Sequence, residues 1–520
     1  MASILLTTLN SRYSHCSFGL RYLKANLRDL KPNAEILEFT ISQKPEEIAG
    51  ILLSKNPDIL GFGIYIWNTA QSEAVIRILR SKNPGLKIIL GGPEVSHETE
   101  TQAICQLADL TIRGEADFLF YEICKKYFAD GSLPKAKWIS GELPQIEQIT
   151  LPYTEYTDED VKNRVIYVEA SRGCPYKCEY CLSSLDKTVR SFDLQRFLAE
   201  MDLLVSRGVR QFKFIDRTFN LSIKTSSQIL EFFLSRIELG LFLHFEMVPD
   251  RLPEELRLLI DRFPKGALQF EIGIQTWNPE VAKLVSRRQD YSKIRENFAY
   301  LNQQKKVHTH ADLIVGLPGE TLESFARGFD EVALLGPDEI QVGLLKRLKG
   351  APISRHDQEW QMVYDLKPPF QVLSTKMMSG EVIREMAIYA QFWDRIANSG
   401  NFAQTFLLIK KQASLRNDRS LFYEFQKLVR FLFDRHHQAH GIPMVELAES
   451  IAVYLSDVSR IEEKTVHEVL VQDYSIQGNR EIPTFLRSER AHELKKLNPT
   501  QYINSAIPKR QQKHLKASSD

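Results

Sequence analysis

Strand-like and helix-like apolar patterns alternate along the first two thirds of the chain, and that alternation constrains the fold more than any other feature. Residues 3–9 (SILLTTL) form a short apolar run, and Leu20, Leu23 and Leu27 then recur at helical spacing. Further strand-like runs stand at 34–39, 58–66, 86–90 and 109–112, with helical runs at 45–54, 70–80, 98–107 and 117–128. Five such β–α units in about 130 residues predict a parallel sheet covered by helices on both faces. Ligands bind such sheets outside the carboxyl ends of the strands, where the strand order reverses.

A second series follows. Strand patterns at 164–171, 211–220, 243–249, 267–276, 310–321 and 339–350 alternate with helical patterns at 193–206, 225–238, 252–263, 291–304 and 322–335. Six repeats of this kind close most simply as an open parallel barrel with its chemistry at the carboxyl-terminal mouth. From about residue 356 the strand signal fades. Helices are predicted at 379–398, 420–438, 443–458, 462–471 and 484–496, their apolar residues spaced as core faces. His436 and His440 suit the carboxyl end of the second of these helices better than a metal site.

Composition narrows the class. A chain of 520 residues exceeds one ordinary core, and 43% hydrophobic with 26% charged residues describes a soluble globular protein. The net charge of +1 gives no global argument for nucleic acid or membrane. No apolar run approaches the roughly 20 residues that span a bilayer. "MASILLTTLN" lacks a basic start and reads as a first strand rather than a signal peptide. Six cysteines do not make a disulfide framework, so a reducing cytoplasm is expected.

The loops that leave four of the first five strands read "NSRYSH", "YIWNT", "GGPEVS" and "RGEAD". Gly91 and Gly92 permit close backbone approach, and Pro93 stiffens the turn. Converging on one sheet edge, such loops make a ligand crevice. His15 and His97, the histidines of this region, read as solvated loop residues.

Half of the cysteines lie in "RGCPYKCEYC", where Cys174, Cys178 and Cys181 follow a predicted strand. Three buried thiols fit poorly with a loop holding Gly173, Pro175, Lys177 and Glu179. A structural zinc site needs four ligands, and the nearest later histidine is His244. An iron–sulfur cluster held by three thiolates leaves one iron open to bind a molecule and pass it an electron.

This spacing is the hallmark of the radical S-adenosylmethionine superfamily, which "RGCPYKCEYC" resembles closely. The resemblance implies a [4Fe–4S] cluster on Cys174, Cys178 and Cys181, with S-adenosylmethionine on the open iron, reductive cleavage to a 5′-deoxyadenosyl radical and Tyr180 against the adenine. "TLNSRYSHCSFGLRYLKANL", "GGPEVS" and "ADLTIRGEAD" resemble the flavodoxin-like (Rossmann-like) cobalamin-binding module that precedes many such enzymes. That resemblance implies cobalamin contacts from Asn10, Ser11, Gly91, Gly92, Pro93, Glu94, Gly114 and Glu115. The Asp-x-His-x-x-Gly motif of classical cobalamin carriers is missing, which implies cobalt without a protein histidine. "FKFIDRTFN", "QFEIGIQTWNPEV" and "DLIVGLPGET" are similar to strand-end motifs of the cobalamin-dependent members. They imply S-adenosylmethionine contacts from Asp216, Glu271 and Gly316, with Glu246 and Gln275 beside them; a buried ion pair is the alternative for each carboxylate.

The expected organisation is α/β: a cobalamin-binding domain at 1–132, a linker at 133–162, a partial TIM barrel, (β/α)6, at 163–355, a helical carboxyl-terminal domain at 356–500 and a flexible basic tail at 501–520. The expected activity is methylation of an unactivated carbon of a small molecule, with an electron donor such as flavodoxin or ferredoxin. Rearrangement or cyclisation without net methylation, or a non-catalytic cobalamin or redox sensor, are the alternatives. RNA modification would call for an appended β-barrel and further cluster cysteines, whereas the chain ends in helical patterns and Cys16, Cys105 and Cys124 are scattered.

Overall fold

A computed structural model describes residues 3–475, 483–484 and 506–517 of the chain. It divides into two compact units, one formed by Met1–Arg217, Lys346–Ser354 and Tyr364–Gln371, the other by Thr218–Leu345, Arg355–Val363 and Val372–Asp520.

The first unit contains six parallel strands: β1 (Ile4–Asn10), β2 (Ala34–Thr40), β3 (Ile59–Gly63), β4 (Lys87–Gly91), β5 (Leu110–Arg113) and β6 (Trp138–Ser140). Their order is β2-β1-β3-β4-β5-β6, the flavodoxin-like order extended by one strand, so the order reverses between β1 and β3. Every residue of β1 is buried, as befits a strand covered on both faces. Alternate side chains go to opposite faces. Leu5 and Leu9 pack with Leu60, Val75 and Leu79, whereas Ile4 and Leu6 pack with Leu20, Phe120 and Ile123.

β6 lies in the stretch expected to be a linker, and it pairs in parallel with β5. The same stretch buries Tyr153 and Tyr156, whose hydroxyls donate to the backbone oxygens of Glu169 and Tyr167 at 3.1 and 2.8 Å. These bonds brace β7 (Ile166–Val168). A short antiparallel pair, β8 (Ser171–Arg172) with β9 (Arg190–Ser191), encloses the cysteine loop, and β7 pairs in parallel with β10 (Gln211–Phe214).

In the second unit β11 (Phe242–Met247), β12 (Leu268–Gln275), β13 (Val307–Val315) and β14 (Glu339–Leu344) pair in parallel in chain order. All six strands of the expected second series are therefore present, as β7 and β10 to β14. Beyond them come helices Gly380–Ile396, Ala403–Leu415, Leu421–His436, Met444–Val453 and Glu463–Ser475. Phe329, on helix Leu322–Leu334, meets the rings of Tyr389, Trp393 and Phe422 at centroid distances of 5.7, 4.7 and 5.7 Å. His436 at the end of its helix lies 2.8 Å from the Ser450 hydroxyl.

The helix expected at 484–496 lies outside the described residues save for residue 484. The tail expected to be flexible differs where it is described, because Lys509–Ala517 is a helix. Its charge finds partners: Arg510 lies 2.6 Å from Asp394, and its Nε donates to the Asn398 backbone oxygen at 3.0 Å. No helix among the described residues is long and apolar enough to cross a membrane.

Phe329→Ala removes a ring that is fully buried in this aromatic nest. The expected cost is about 3–5 kcal/mol, read as lost hydrogen-exchange protection in helices Gly380–Ile396 and Leu421–His436.

Candidate active site

The carboxyl ends of β3, β4 and β5 open into a cavity of about 600 Å³ lying wholly within the first unit. Gly63, Gly91, Gly92, Pro93, Gly114 and Glu115 line it. Gly92 has φ +110°, and a Cβ there would collide with the Ile64 backbone, so the turn requires glycine. A Cβ on Gly114 would instead meet open space.

Three residues expected at this crevice face elsewhere. Asn10 donates its side-chain amide to the His15 carbonyl at 2.9 Å and to Glu38 at 3.0 Å. Ser11 is exposed and does not line the cavity. Glu94 is buried in an ion pair with Lys349, a residue 255 positions later in the chain. The histidines also depart from expectation. His15 is half-buried, with Nδ1 2.6 Å from the Tyr167 hydroxyl. His97 is half-buried too and lines the cavity, and burial pushes its pKa down.

The cavity has a second wall that sequence reasoning missed. Arg172, Leu182, Leu185 and Asp186, all from the cysteine loop and its hairpin, line it together with the glycine turns. Leu182 to Leu185 form one 3-10 turn directly after Cys181. The hairpin is fastened by charge. Arg172 pairs with Glu115 at 2.8 Å, Asp117 at 3.0 Å and Glu169 at 2.9 Å, and stacks on the Tyr22 ring at 4.4 Å. Arg190 pairs with Glu115 and, at 3.1 Å, with Asp186. Burial penalises the Arg172 charge, but Glu169 and Asp117 outweigh it and hold the guanidinium protonated.

Within the loop Cys174 and Cys178 are buried and Cys181 is half-buried. Gly173, at φ +91°, passes so close to the Thr188 carbonyl that a Cβ would not fit. Burial raises the Cys174 pKa, a backbone bond from Tyr176 lowers it, the neighbouring thiols Cys181 and Cys178 raise it further and Arg217 opposes them. Cys174 thus sits in the field of Cys178 and Cys181. Tyr180 is half-buried beside them.

Asp216 is deeply buried and accepts from the Ala170 backbone N–H at 3.0 Å and the Ser171 hydroxyl at 2.6 Å. It braces the strand end from which the cysteine loop departs. Burial pushes its carboxyl up to about 7 against the pull of these donors.

The remaining expected residues belong to the second unit. Glu246 and Glu271 are half-buried on adjacent strands, and Glu271 lies 3.0 Å from His244. Gln275 stands at φ +71° where the β12–β13 register shifts. That conformation is uncommon outside glycine. Arg287 supports it, bonding the carbonyls of Gly273 and Ile274. Gly316 follows β13 at φ +85°, with Val372 and Ile383 close by. Sequence reasoning missed Glu320, which is 1% exposed and accepts from the hydroxyls of Thr276 and Ser324 at 2.6 Å each. The Glu320 side of "GLPGET" is therefore a turn lock.

Comparison with known proteins agrees with this architecture. Residues 4–123 match the B12 binding domain, 168–332 the radical SAM superfamily and 358–519 a protein family of unknown function (DUF4080). The chain is 24% identical over 365 residues to the 2-(S-pantetheinyl)-carbapenam-3-carboxylate methyltransferase of Streptantibioticus cattleyicolor, covering 61% of this chain and 50% of that protein. It is 23% identical over 368 residues to the cobalamin-dependent radical SAM methyltransferase TokK of Streptomyces tokunonensis, with the same coverage, 61% and 50%. The chain thus spans about half the length of these curated relatives. Among solved structures, its fold is similar to that of the methyltransferase TsrM from Kitasatospora setae with cobalamin and [4Fe-4S] cluster bound (TM-score 0.55, 16% identity, 68% of this chain and 74% of that chain). The cobalamin-dependent radical enzyme OxsB is similar over more of the chain (TM-score 0.59, 13% identity, 91% and 78%).

Two outcomes are expected at this site. Arg172→Ala strands the buried carboxylates of Asp117 and Glu169, while Glu115 keeps Arg190, and costs about 3–5 kcal/mol in urea denaturation. Asp216 ordinarily ionises near 3.8 and here near 7, so between those values the folded chain holds a proton that the unfolded chain has lost. Its contribution to stability is therefore greatest below pH about 4 and falls as pH rises towards 7. Asp216→Asn removes that slope, and an unchanged slope in urea titrations at pH 5 and 7.5 would contradict the assignment.

Proposed function

We propose that this chain, which carries a B12-binding domain and a radical S-adenosylmethionine domain, transfers a methyl group to an unactivated carbon of a small molecule. The radical domain implies a [4Fe–4S] cluster and S-adenosylmethionine, and the B12-binding domain implies cobalamin. The residues present fit these groups. The gathering of Cys174, Cys178 and Cys181 in one loop, with the field of the latter two felt at Cys174, suits a shared cluster. Around the cavity, the backbone of the Gly91–Pro93 turn and the open space over Gly114 suit a large flat ligand.

One observation carries the reading. The turn Leu182–Leu185, directly after the third cysteine, lines the same cavity as the strand-end glycine turns. Bound in their sites, these groups supply one-electron cleavage of a sulfonium bond, hydrogen-atom abstraction and methyl carriage. The chain's own residues bind, orient and exclude water. Cys174, Cys178 and Cys181 would ligate three irons, and Tyr180 would stack on the adenine. Asp216 acts as a positioning residue, fixing Ala170 and Ser171 at the root of the loop. Arg172 holds the hairpin against Glu115 and Asp117, so Leu182 and Leu185 keep an apolar face towards the cavity. Glu246, Glu271, Gln275 and Gly316 are assigned to S-adenosylmethionine, and Gly91, Gly92, Pro93, Gly114 and Glu115 to cobalamin. Six reduced cysteines and an oxygen-sensitive cluster support a reducing cytoplasmic setting with a flavodoxin or ferredoxin as electron donor.

The test is anaerobic reconstitution with all three cofactors, a reductant and a metabolite extract, with label in the S-adenosylmethionine methyl group. Label in a carbon-methylated small molecule, with 5′-deoxyadenosine released alongside, is the expected result. Deoxyadenosine without any labelled product would move the chain to the rearrangement or cyclisation class, and no deoxyadenosine at all to the sensor class.

A further inference from the structure

A cluster of metal-ligating side chains lies at the amino ends of β13 and β14, whereas Gly316 follows the carboxyl end of β13. His308 and His310 are two residues apart near the start of β13, so both rings leave the strand on one face. Glu339 opens β14 and is paired in register with His310. His514 comes from helix Lys509–Ala517, almost two hundred residues later. His308 and Glu339 are each 5% exposed, and His514 is half-buried.

Three imidazole nitrogens converge on one carboxylate oxygen. Glu339 Oε1 lies 3.0 Å from His308 Nε2, 3.3 Å from His310 Nε2 and 3.7 Å from His514 Nε2. The ligand atoms of His308, Glu339 and His514 all fall within 4.8 Å of one another. A tetrahedral zinc ion with bonds of about 2.0–2.2 Å spaces its donors about 3.3–3.5 Å apart, a range that the three distances from Glu339 Oε1 bracket, and the imidazoles draw in from within 4.8 Å to meet it. We propose that His308, His514 and Glu339, with His310 turning in from 3.3 Å beside Glu339 as fourth donor, form a structural zinc site that ties helix Lys509–Ala517 to the amino ends of β13 and β14.

The surroundings fit that role. The second carboxylate oxygen of Glu339 is held by Arg510 at 2.6 Å, which turns the first towards the imidazoles. Asp338 lies 3.8 Å from His308 Nδ1, where it can orient the ring from behind. Burial alone would raise the Glu339 carboxyl, but hydrogen bonds with His308 and His310 outweigh it and keep the group ionised. Four contacts must yield: His308 Nε2 and His310 Nε2 lie 3.0 and 3.3 Å from Glu339 Oε1, His514 Nε2 lies 2.8 Å from the Asn398 carbonyl, and the Gln269 amide lies 3.2 Å from His310 Nε2. With four protein donors the site is closed, which assigns zinc a structural place rather than a catalytic one.

The test uses the full chain with its cysteines occupied by a reconstituted cluster, and zinc alone as the probe. About one tightly held zinc per chain, with only nitrogen and oxygen neighbours in its X-ray absorption spectrum, is expected. His308→Ala with His514→Ala should lose that equivalent. Arg510→Met keeps all four donors and should weaken zinc about 10–100-fold in competition with a chromophoric chelator. Sulfur neighbours, or no zinc retained by the wild-type chain, would overturn the site and leave only an ion-pair latch. The wild-type measurement stands by itself if the double variant does not fold.

Discussion

The buried guanidinium of Arg172 is the interaction on which the cysteine loop depends. Its partners Glu115 and Asp117 leave the carboxyl end of β5, whereas Glu169 lies on its own segment just upstream. Four charges withdrawn from water are expensive, and their mutual attraction repays that only with good geometry. Such a network is a weak source of net stability. What it supplies is register: the acidic loop after β5 and the hairpin around the cysteines can meet in one way only. Arg190 repeats the device from the other strand of the hairpin, again on Glu115.

Two further constraints act on the same loop. Asp216 grips the backbone where the chain leaves β7, and Gly173 lets the loop pass the Thr188 carbonyl without a side chain in the way. Arg172 and Asp186 reach the cavity already ion-paired, and the apolar part of the face that the loop turns to it is Leu182 and Leu185. The loop thereby joins an ionic root to an apolar tip, and the cavity takes one wall from the strand-end glycine turns and the other from the cysteine loop.

Much of this was legible in the residues. The uninterrupted apolar run of β1 announced a strand buried on both faces, and the three-cysteine spacing announced its chemistry without any fold. Strand order, however, leaves no trace in periodicity. Motif position also says nothing of the direction in which a side chain points: Glu94 sits in "GGPEVS" yet turns to Lys349, and Asn10 turns back to His15 and Glu38. Tyr153 and Tyr156 were hidden because isolated aromatic anchors in an aperiodic stretch carry no pattern. The His-x-His pair at the head of β13 was readable as a same-face pair, but its partners Glu339 and His514 are set by topology alone.

The short strand β6 has a consequence for how the molecule can be divided. It covers the outer edge of β5, whose backbone N–H and C=O groups would otherwise face solvent. A fragment cut at residue 132 would keep every glycine turn of the crevice but expose that edge, inviting strand-to-strand association between copies. A fragment that runs past Ser140 would carry its own edge protection, so the autonomous piece of this protein ends later than its ligand-facing loops do.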